Sequence, residues 1–320
     1  RPATAAVDAR LIAGSSCNGE YGVVDLPVMP PVAPMLAKAV SAVPEQPDGE
    51  PSWSYEPKWD GFRALVFRDG DEVYIGSRGG KDLARYFPEI VDAARAELPD
   101  KVVLDGEIGV PSVIDGVHRL DWDSLAQRIH PADSRVRMLA EKTPAIFIGF
   151  DALALGDRSV VDEPFAVRRD TLVEAVGAHK PGRRFNVSRV TADADTARTW
   201  FSAFEGAGLD GVVAKRLGSP YVEGKREMLK VKHKRTADCV VIGCRVHKSG
   251  TGLGSMLLGL FTDSGDLHMV GGAGAFTDKK RIELEEMFAP MRTDPDKPAP
   301  GEPTRWRSEK SGEWIPISPE

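Results

Sequence analysis

Lys58 lies in a run of residue types that suit nucleophilic chemistry on a phosphate. The run covers residues 54–63 and reads SYEPKWDGFR, so that Glu56 comes two residues before the lysine and Asp60 two residues after it. A deprotonated amine can attack phosphorus, and a neighbouring carboxylate can bind a divalent cation. Taken alone, the pattern is more typical of a turn that carries a solvated lysine and aspartate.

Five further segments follow in order and contain the same kinds of side chain. They read SRG at 77–79, LDGEI at 104–108, FIGFD at 147–151, LDGVVAK at 209–215 and LKVK at 229–232. Side chains two apart on a strand point to the same face, so Lys230 and Lys232 should share one site. Two amines together suit a polyphosphate, although an exposed strand face with solvated lysines gives the same pattern.

Together the six segments resemble the ordered motifs of the covalent nucleotidyltransferases, the superfamily of ATP-dependent DNA ligases, RNA ligases and messenger-RNA capping enzymes. The resemblance covers residues 25–290 and is closest to the small stand-alone bacterial DNA ligases related to the ligase module of end-joining proteins. It implies an ATP-dependent DNA ligase that seals nicks or breaks in duplex DNA, in repair and recombination. It also implies that Lys58 attacks the α-phosphate of ATP, releases pyrophosphate and holds AMP.

The resemblance also implies roles for the other motif residues. Phe150 would stack on adenine, Glu107 would bind the ribose hydroxyls, and Arg78 would lie beside the sugar and the DNA 5′-phosphate. Eight residues would contact the nucleotide: Glu56, Arg63, Arg78, Glu107, Phe150, Lys215, Lys230 and Lys232. Among them, Glu56 and Arg63 would help to select adenine and place phosphate, and the three lysines would face the triphosphate.

Two aspartates are predicted to bind the catalytic metal, Mg²⁺ or Mn²⁺. Asp60 and Asp210 offer the oxygen ligands that Mg²⁺ prefers when it bridges to substrate phosphates. The motif that contains Asp210 usually begins with glutamate, which is one methylene longer, so contact with the metal through a water molecule is expected here. The cofactors implied are therefore ATP and a divalent cation.

The elements that must position these residues form a mixed α+β domain. Short strands separated by turn signals are predicted at 63–67 and 72–76, around Asp69-Gly70, and at 102–110 with a partner strand after Asp115-Gly116. Further strands are predicted at 145–155, 187–190 and 211–215. Apolar residues at helical spacing predict helices at 88–98, at 164–176 and from about residue 193. Residues 25–235 are assigned to this adenylation domain, and residues 1–24 to a disordered tail.

After residue 235 the pattern changes to β-hairpins with one helix near 280–288. A second domain, residues 236–320, is predicted to be an OB-type β-barrel that is incomplete at its C-terminus. The superfamily's last motif is expected to lie beyond the chain, although residues 307–310, RSEK, resemble it. A chain without that motif would charge itself with AMP poorly.

Composition limits the classes of partner and location. The 320 residues are enough for two cores, and no apolar run approaches the roughly 20 residues that cross a membrane. Three cysteines without disulfide spacing favour a reducing cytoplasm, with nucleoid association expected. The net charge is −6, yet residues 225–248 contain eight basic and two acidic residues, which suits DNA phosphates.

A monomer is expected, with accessory end-joining proteins as further partners. An RNA ligase or a GTP-using capping enzyme shares the first motif, and a non-catalytic DNA-binding module with the same fold is a rival of another class. A zinc site made of His233, Cys239, Cys244 and His247 is not favoured, because the set lacks a close cysteine pair.

Overall fold

A six-stranded sheet forms the centre of the first of two units, Arg1–His233 and Lys234–Glu320, into which the chain divides. The structure is a computed structural model that describes residues 24–49, 51–114, 116–203, 209–233, 236–293 and 314–318. With strands numbered along the chain, this sheet contains β3 (Phe62–Asp69), β4 (Glu72–Ser77), β5 (Lys101–Gly109), β8 (Ile146–Leu155), β9 (Arg158–Ser159) and β10 (Phe185–Val187). Its order is β10-β8-β5-β3-β4, with β9 paired to β8.

The two faces of this sheet are both buried, and strand β3 shows why. Ala64 and Val66 point into a core beneath two helices, whereas Leu65 and Phe67 point into a second core. Successive side chains on a strand alternate between faces, so one apolar run serves both cores. The second core includes residues from the proline-rich segment, defined as residues 24–36, which crosses this face of the sheet.

A four-stranded sheet completes the framework of the first unit. It contains β1 (Ala37–Ala39), β2 (Trp53–Trp59), β11 (Leu209–Arg216) and β12 (Met228–Lys232), in the order β1-β12-β11-β2. One face packs through Tyr55, Val212 and Val231 with Ala197 in a third core. A separate hairpin pairs β6 (Pro111–Ile114) with β7 (Val117–Leu120). The strand predicted after residues 115–116 therefore pairs within its own hairpin and not with residues 102–110.

The helices that the sequence predicts in the first unit are present. They are α1 (Pro88–Glu97), α4 (Phe165–Val176) and α5 (Ala194–Ala203). Helix α1 begins with a proline, and α4 is followed by Gly177 at φ 74°, a conformation that suits glycine. Asp193 accepts a hydrogen bond from the backbone N–H of Thr196 at 2.8 Å and so caps α5. No described helix of the chain is long and apolar enough to cross a membrane.

Two further helices, α2 (Trp122–Ala126) and α3 (Asp133–Lys142), have no counterpart in the sequence-based prediction. Their buried residues are Leu125 in α2, and Val136 and Leu139 in α3. One or two apolar positions do not make a recognisable helical period. Arg128, which follows α2, is fully buried and pairs with Glu89 of α1 at 2.6 Å. Long-range ion pairing therefore helps to hold a region that carries little local signal.

A buried ion pair anchors α4 to the sheet beside the motif at residues 147–151. Arg168 contacts both carboxylate oxygens of Asp151, at 2.8 and 3.1 Å, and neither side chain is more than 1% exposed. Arg168 also donates to the carbonyls of Glu163 and Ser219, each at 2.7 Å. A buried charge that loses its partner strongly destabilises a fold.

Replacing Arg168 with methionine should therefore lower the free energy of unfolding of the first unit by about 3–5 kcal/mol, because Asp151 stays buried without its partner. Chemical denaturation followed by tryptophan fluorescence measures this change. Arg158→Met is the matched control, since the Arg158 side chain is 61% exposed and pairs with Glu163, whose side chain is 42% exposed. The control should cost about 0–1 kcal/mol. Equal losses for the two variants would contradict the assignment of Arg168 as an anchor.

The second unit contains an open four-stranded sheet and one α-helix among its described residues. The sheet contains β13 (Val240–Val246), β14 (Leu253–Phe261), β15 (Leu267–Ala273) and β16 (Ile315–Pro316), in the order β15-β14-β13-β16. Helix α6 (Asp278–Phe288) packs Leu284 with Cys244 and Leu253 of this sheet. The predicted hairpins and helix are present, but the described strands do not close a barrel. Residues 307–310 lie outside the described part of the chain.

Candidate active site

A cavity of about 490 Å³ in the first unit brings together nine of the eleven predicted site residues. They are Glu56, Lys58, Arg63, Arg78, Glu107, Phe150, Lys215, Lys230 and Lys232. These residues come from the six-stranded sheet, from the four-stranded sheet and from the segment after β4. A tenth residue, Asp210, bonds directly to two of the lysines in the lining.

Alternation along three paired strands explains the cationic wall of the cavity. In the register of the four-stranded sheet, Val213 lies opposite both Glu56 of β2 and Lys230 of β12. Lys58 and Lys232 come two residues later on their strands and therefore face the same way as Glu56 and Lys230. The opposite face carries the apolar side chains of the third core. Lys230 and Lys232 both line the cavity, as this alternation predicts.

A bulge in β11 positions Asp210 against the nucleophile candidate. The pairing of β11 with β2 shifts register between Leu209 and Val212. Asp210 Oδ2 lies 2.9 Å from Lys58 Nζ and 2.6 Å from Lys232 Nζ. At Gly211, φ is 138°, and a Cβ there would lie 1.9 Å from the Val231 carbonyl oxygen. The glycine of the LDG motif is therefore required by backbone geometry beside the aspartate.

Lys215 is not part of an open row of phosphate-binding lysines. Its amine donates to Glu56 Oε1 at 2.5 Å and to the Phe150 carbonyl at 2.8 Å, and the residue is 2% exposed. The same amine lies over the Phe150 ring, 4.7 Å from its centroid. Lys215 thus holds Glu56 and Phe150 together at one end of the cavity. Three lysines were predicted to face the triphosphate. Of these, Lys230 and Lys232 lie in the cavity wall beside Lys58, whereas the amine of Lys215 is buried.

Arg63 is also engaged by protein groups. Its guanidinium forms two hydrogen bonds of 2.6 Å with Asp105 and lies 4.4 Å from the centroid of Phe150. Asp105 accepts a further bond from the hydroxyl of Tyr221 at 2.7 Å, and that hydroxyl accepts one from the backbone N–H of Met35 at 3.0 Å. Arg63 therefore ties the proline-rich segment to the cavity wall, and its guanidinium charge is paired with Asp105, while its contact with phosphate stays a prediction.

Sequence reasoning did not assign roles to Asp105 or Tyr221. Asp105 stands inside the LDGEI motif, where its place on the face shared with Glu107 was a usable signal. Tyr221 lies in a loop between β11 and β12, and no local pattern marks it as a partner of a residue more than a hundred positions earlier in the chain. Trp59 and Arg226 also line the cavity without having been predicted.

Glu107 faces the cavity from β5 and is packed against the turn after β2. The backbone N–H of Gly61 donates to its carboxylate, and a Cβ on Gly61 would lie 2.3 Å from the Ile108 carbonyl oxygen. Burial raises the pKa of Glu107 to about 7, against the lowering effects of the Arg63 and Lys58 charges. A pKa of about 7 leaves Glu107 partly protonated at neutral pH.

The remaining charged residues lie toward the open side of the cavity. Arg78 is exposed. Burial is the largest cause that lowers the pKa of Lys230, and the charges of Lys58, Lys232, Arg78 and Arg226 lower it further. Deprotonation of the Lys230 amine therefore costs less free energy than deprotonation of a free lysine. Asp60 is exposed on the turn between β2 and β3 and is not among the residues that line the cavity. Asp210 is not among the lining residues either, but it forms ion pairs with Lys58 and Lys232 of the lining.

Comparison with known proteins decides the family. The model of the ATP-dependent DNA ligase domain matches residues 34–232. The chain belongs to the ATP-dependent DNA ligase family. It is 60% identical to DNA ligase C1 of Mycolicibacterium smegmatis over 93% of this chain and 83% of that protein. It is 50% identical to DNA ligase C of Mycobacterium tuberculosis over 93% of this chain and 85% of that protein.

Solved structures of this ligase family share the fold. The mycobacterial DNA ligase D complexed with ATP and MES matches with 28% identity and a TM-score of 0.50, over 90% of this chain and 86% of that one. A Lig E DNA ligase matches in fold at a TM-score of 0.52 and 19% identity, over 82% of this chain and 88% of that one. The predictions of an ATP-dependent DNA ligase and of a fold with mixed sheets and helices are confirmed.

Proposed function

We propose that this ligase stores AMP on Lys58 and transfers it to the 5′-phosphate at a nick or break in duplex DNA, in repair and recombination. The observation that carries the proposal is the contact of Lys58 Nζ with Asp210 in a cavity that also holds Lys230, Lys232 and an aromatic face. A nucleophile, charge stabilisers and a base-stacking surface are the parts that phosphoryl transfer from ATP requires.

Ligation then proceeds by three successive displacements at phosphorus. Lys58 Nζ loses a proton and attacks the α-phosphorus, so that a P–N bond forms, the bond to the β-phosphate oxygen breaks, and pyrophosphate leaves. An oxygen of the DNA 5′-phosphate then attacks the phosphorus of the bound AMP, so that a P–O–P bond forms, the P–N bond breaks and the Lys58 amine takes up a proton. The 3′-hydroxyl finally loses a proton and attacks the 5′-phosphorus, so that the phosphodiester bond forms and AMP leaves. Lys230 and Lys232 stabilise the charge that builds on the phosphoryl oxygens in the first step.

The nucleotide is proposed to lie along the cavity, with adenine at the end formed by Phe150 and Glu56. Glu107 then accepts hydrogen bonds from the ribose hydroxyls, and the lysine wall contacts the phosphates. Lys215 and Arg63 act on the nucleotide indirectly, because their charges are already paired with Glu56 and Asp105. The exposed Arg78 is proposed to contact the sugar and the DNA 5′-phosphate.

The residues present fit a Mg²⁺ or Mn²⁺ ion that is held mainly by substrate. Among the described residues no cluster of three or more potential ligands occurs, yet Mg²⁺ is commonly bound by one or two carboxylates together with phosphates. Asp210 would supply the carboxylate, and the bound ion would neutralise phosphate charge. Asp60 would join only through a water molecule or a change of side-chain position.

The domain roles are part of the same proposal. Residues 25–235 are the adenylation domain and residues 236–320 an OB-type domain, whose open described sheet and single α-helix are compatible with that fold. We further propose a monomer that works with accessory end-joining proteins in the cytoplasm, near the nucleoid. The basic residues at 225–248 supply charge for duplex DNA.

Labelling distinguishes this function from its rivals. The purified chain is incubated with α-labelled ATP or GTP and Mg²⁺ or Mn²⁺, and then with nicked DNA or nicked RNA. Acid-labile AMP on the protein, followed by sealing of the DNA, is the expected result. Label from GTP would indicate a capping enzyme, sealing of RNA alone an RNA ligase, and DNA binding without label or sealing a non-catalytic module.

The ionisation of Glu107 should make both the KM for ATP and the stability of the fold depend on pH. The ionised carboxylate of Glu107 can accept hydrogen bonds from both ribose hydroxyls, and protonation removes part of this capacity. The KM for ATP should therefore rise as the pH falls below about 7, by at most about tenfold for each pH unit. Since the folded pKa of about 7 exceeds the ordinary glutamate pKa of 4.5, the contribution of Glu107 to the stability of the apo fold is fully present below pH 4.5 and is lost as the pH rises through 7.

Steady-state adenylation at pH values on both sides of 7 tests this prediction. Glu107→Gln cannot titrate and should remove the inflection in KM while it weakens ATP binding at every pH. Glu141→Gln, at an exposed position of α3, should leave the profile as in the wild type. An unchanged inflection in Glu107→Gln would assign the titration to another group.

A further inference from the structure

A closed set of hydrogen bonds, which we call the Met35 network, holds the proline-rich segment against the wall of the cavity. The backbone N–H of Met35 donates to the Tyr221 hydroxyl at 3.0 Å, and this hydroxyl donates to Asp105 Oδ2 at 2.7 Å. Arg63 donates to both carboxylate oxygens of Asp105, each at 2.6 Å, and also to the Met35 carbonyl at 3.3 Å. The network therefore closes on both backbone groups of one residue.

The Met35 network is buried, so each of its bonds is costly to lose. Met35, Asp105 and Tyr221 are at most 3% exposed. Buried polar groups are nearly always paired, and an unpaired one keeps the full penalty of its removal from water. Burial and the charge of Asp105 raise the pKa of the Tyr221 hydroxyl well above its ordinary value, so this hydroxyl remains a donor at neutral pH. We therefore expect the bonds of the network to form and break together.

The Met35 network joins two walls of the cavity. Pro34 and Leu36, on either side of Met35 in the chain, both line the cavity. Arg63 lines it from β3, with its guanidinium carbon 4.4 Å from the centroid of the Phe150 ring. A displacement of Met35 would therefore move part of the lining and would take one acceptor away from Arg63, beside the face proposed for adenine.

The part of the proline-rich segment before Pro34 is held by apolar packing. Val24, Leu26 and Val32 are buried in the second core, at 5–7% exposed. The match to the ATP-dependent DNA ligase domain begins at residue 34, so residues 24–33 lie outside it. The Met35 network links these residues, through the following part of the segment, with the site.

We propose that Tyr221 is a positioning residue that couples the proline-rich segment to the ATP cavity, so that docking of the segment raises the affinity for ATP and bound ATP stabilises the docked segment. The inference rests on the proposed placement of ATP in the cavity beside Lys58. Coupling between two binding events is reciprocal, because its free energy does not depend on which event occurs first. Because Tyr221 does not line the cavity, its loss should change ATP binding more than the chemical step.

Tyr221→Phe removes the hydroxyl and keeps the aromatic ring in the second core. In adenylation by the full chain it should raise the KM for ATP about tenfold, a usual size for coupling between sites, and change kcat by less than about twofold. Tyr86→Phe removes a hydroxyl from the segment before α1, which does not line the cavity, and should behave as the wild type. A loss of kcat at unchanged KM would overturn the proposal, as would unchanged kinetics.

Hydrogen exchange at residues 24–36 gives a readout that a purely structural role would not change. In Lys58→Ala, which cannot form lysyl-AMP, bound ATP should slow the exchange of these amides about tenfold. In Lys58→Ala combined with Tyr221→Phe, saturating ATP should no longer slow it, and calorimetry should give an affinity for ATP about tenfold lower. Slowing of equal size in the two proteins would overturn the coupling.

Leu26→Ala is the matched control for loosened docking. Leu26 is 6% exposed in the second core and belongs neither to the cavity lining nor to the Met35 network, so alanine should speed the exchange of the segment without ATP. Slowing by ATP should remain about tenfold in this variant, because the network is intact. If ATP no longer slowed exchange in Leu26→Ala, Tyr221 would only support packing, and the proposal would be overturned.

Exchange in Lys58→Ala alone separates this inference from the proposed covalent function. Slowing by ATP at residues 24–36, without lysyl-AMP on the wild type, leaves the inference standing and removes only the proposed function. Binding of ATP without slowing, beside successful labelling of Lys58, overturns the inference and leaves the function. This comparison needs no change at Tyr221, so it decides the question even where Tyr221→Phe does not fold.

Discussion

Lys58→Arg should form no acid-labile AMP adduct and should lower ATP-dependent sealing of nicked DNA by on the order of a millionfold, the scale seen when a covalent nucleophile is removed. Arginine keeps the positive charge beside Asp210, so the ion pair at 2.9 Å can be maintained. It cannot lose a proton at any working pH, however, and therefore cannot attack phosphorus. The substitution thus removes the nucleophile and preserves the local electrostatics.

Sealing of a pre-adenylated nick separates the first step from the last. In that substrate AMP is already on the DNA 5′-phosphate, so Lys58→Arg should still join the ends at a rate within about tenfold of the wild type. Lys142→Arg, at an exposed position of α3, should behave as the wild type in both assays. AMP bound to Lys58→Arg would show that another residue is the nucleophile.

The parts of the site that could be predicted are those set by short-range geometry. Lys230 and Lys232 face the cavity because strand side chains alternate, and the same rule places Glu56 with Lys58. Helix α4 was predicted because its apolar spacing is followed by Gly177. In these cases the signal lies within a few residues of the element that it specifies.

The parts that could not be predicted depend on which charges meet across long stretches of sequence. Arg63 carries the charge of a phosphate ligand, yet Asp105 binds it from the neighbouring strand. Lys215 looks like a third phosphate lysine, but its amine is buried between Glu56 and Phe150. Residue type and alternation predict the face of the strand, and only the tertiary structure decides whether the charge remains available to a ligand.

Asp210→Asn should lower the rate of Lys58 adenylation by about a hundredfold to a thousandfold, the scale expected when one preorganised electrostatic group is removed from a site. Asp210 Oδ2 is the shared partner of Lys58 and Lys232, and these contacts lower the pKa of its carboxyl although partial burial raises it. Without this charge the two lysines repel each other, and the one carboxylate among the described residues that forms an ion pair with Lys58, and could bind a metal beside it, is lost.

Asp210→Glu distinguishes charge from reach. The bulge holds the backbone of residue 210 close to β2, and the tight packing of Gly211 leaves little freedom to move it. A glutamate keeps the charge and extends the carboxylate by one methylene, so activity within about tenfold of the wild type is expected, with Asp162→Asn as an exposed control. If glutamate were as damaging as asparagine, the position of the oxygen beside Lys58 would matter more than its charge. Full activity of Asp210→Asn would remove Asp210 from the catalytic site and leave Lys230 and Lys232 as the charge stabilisers.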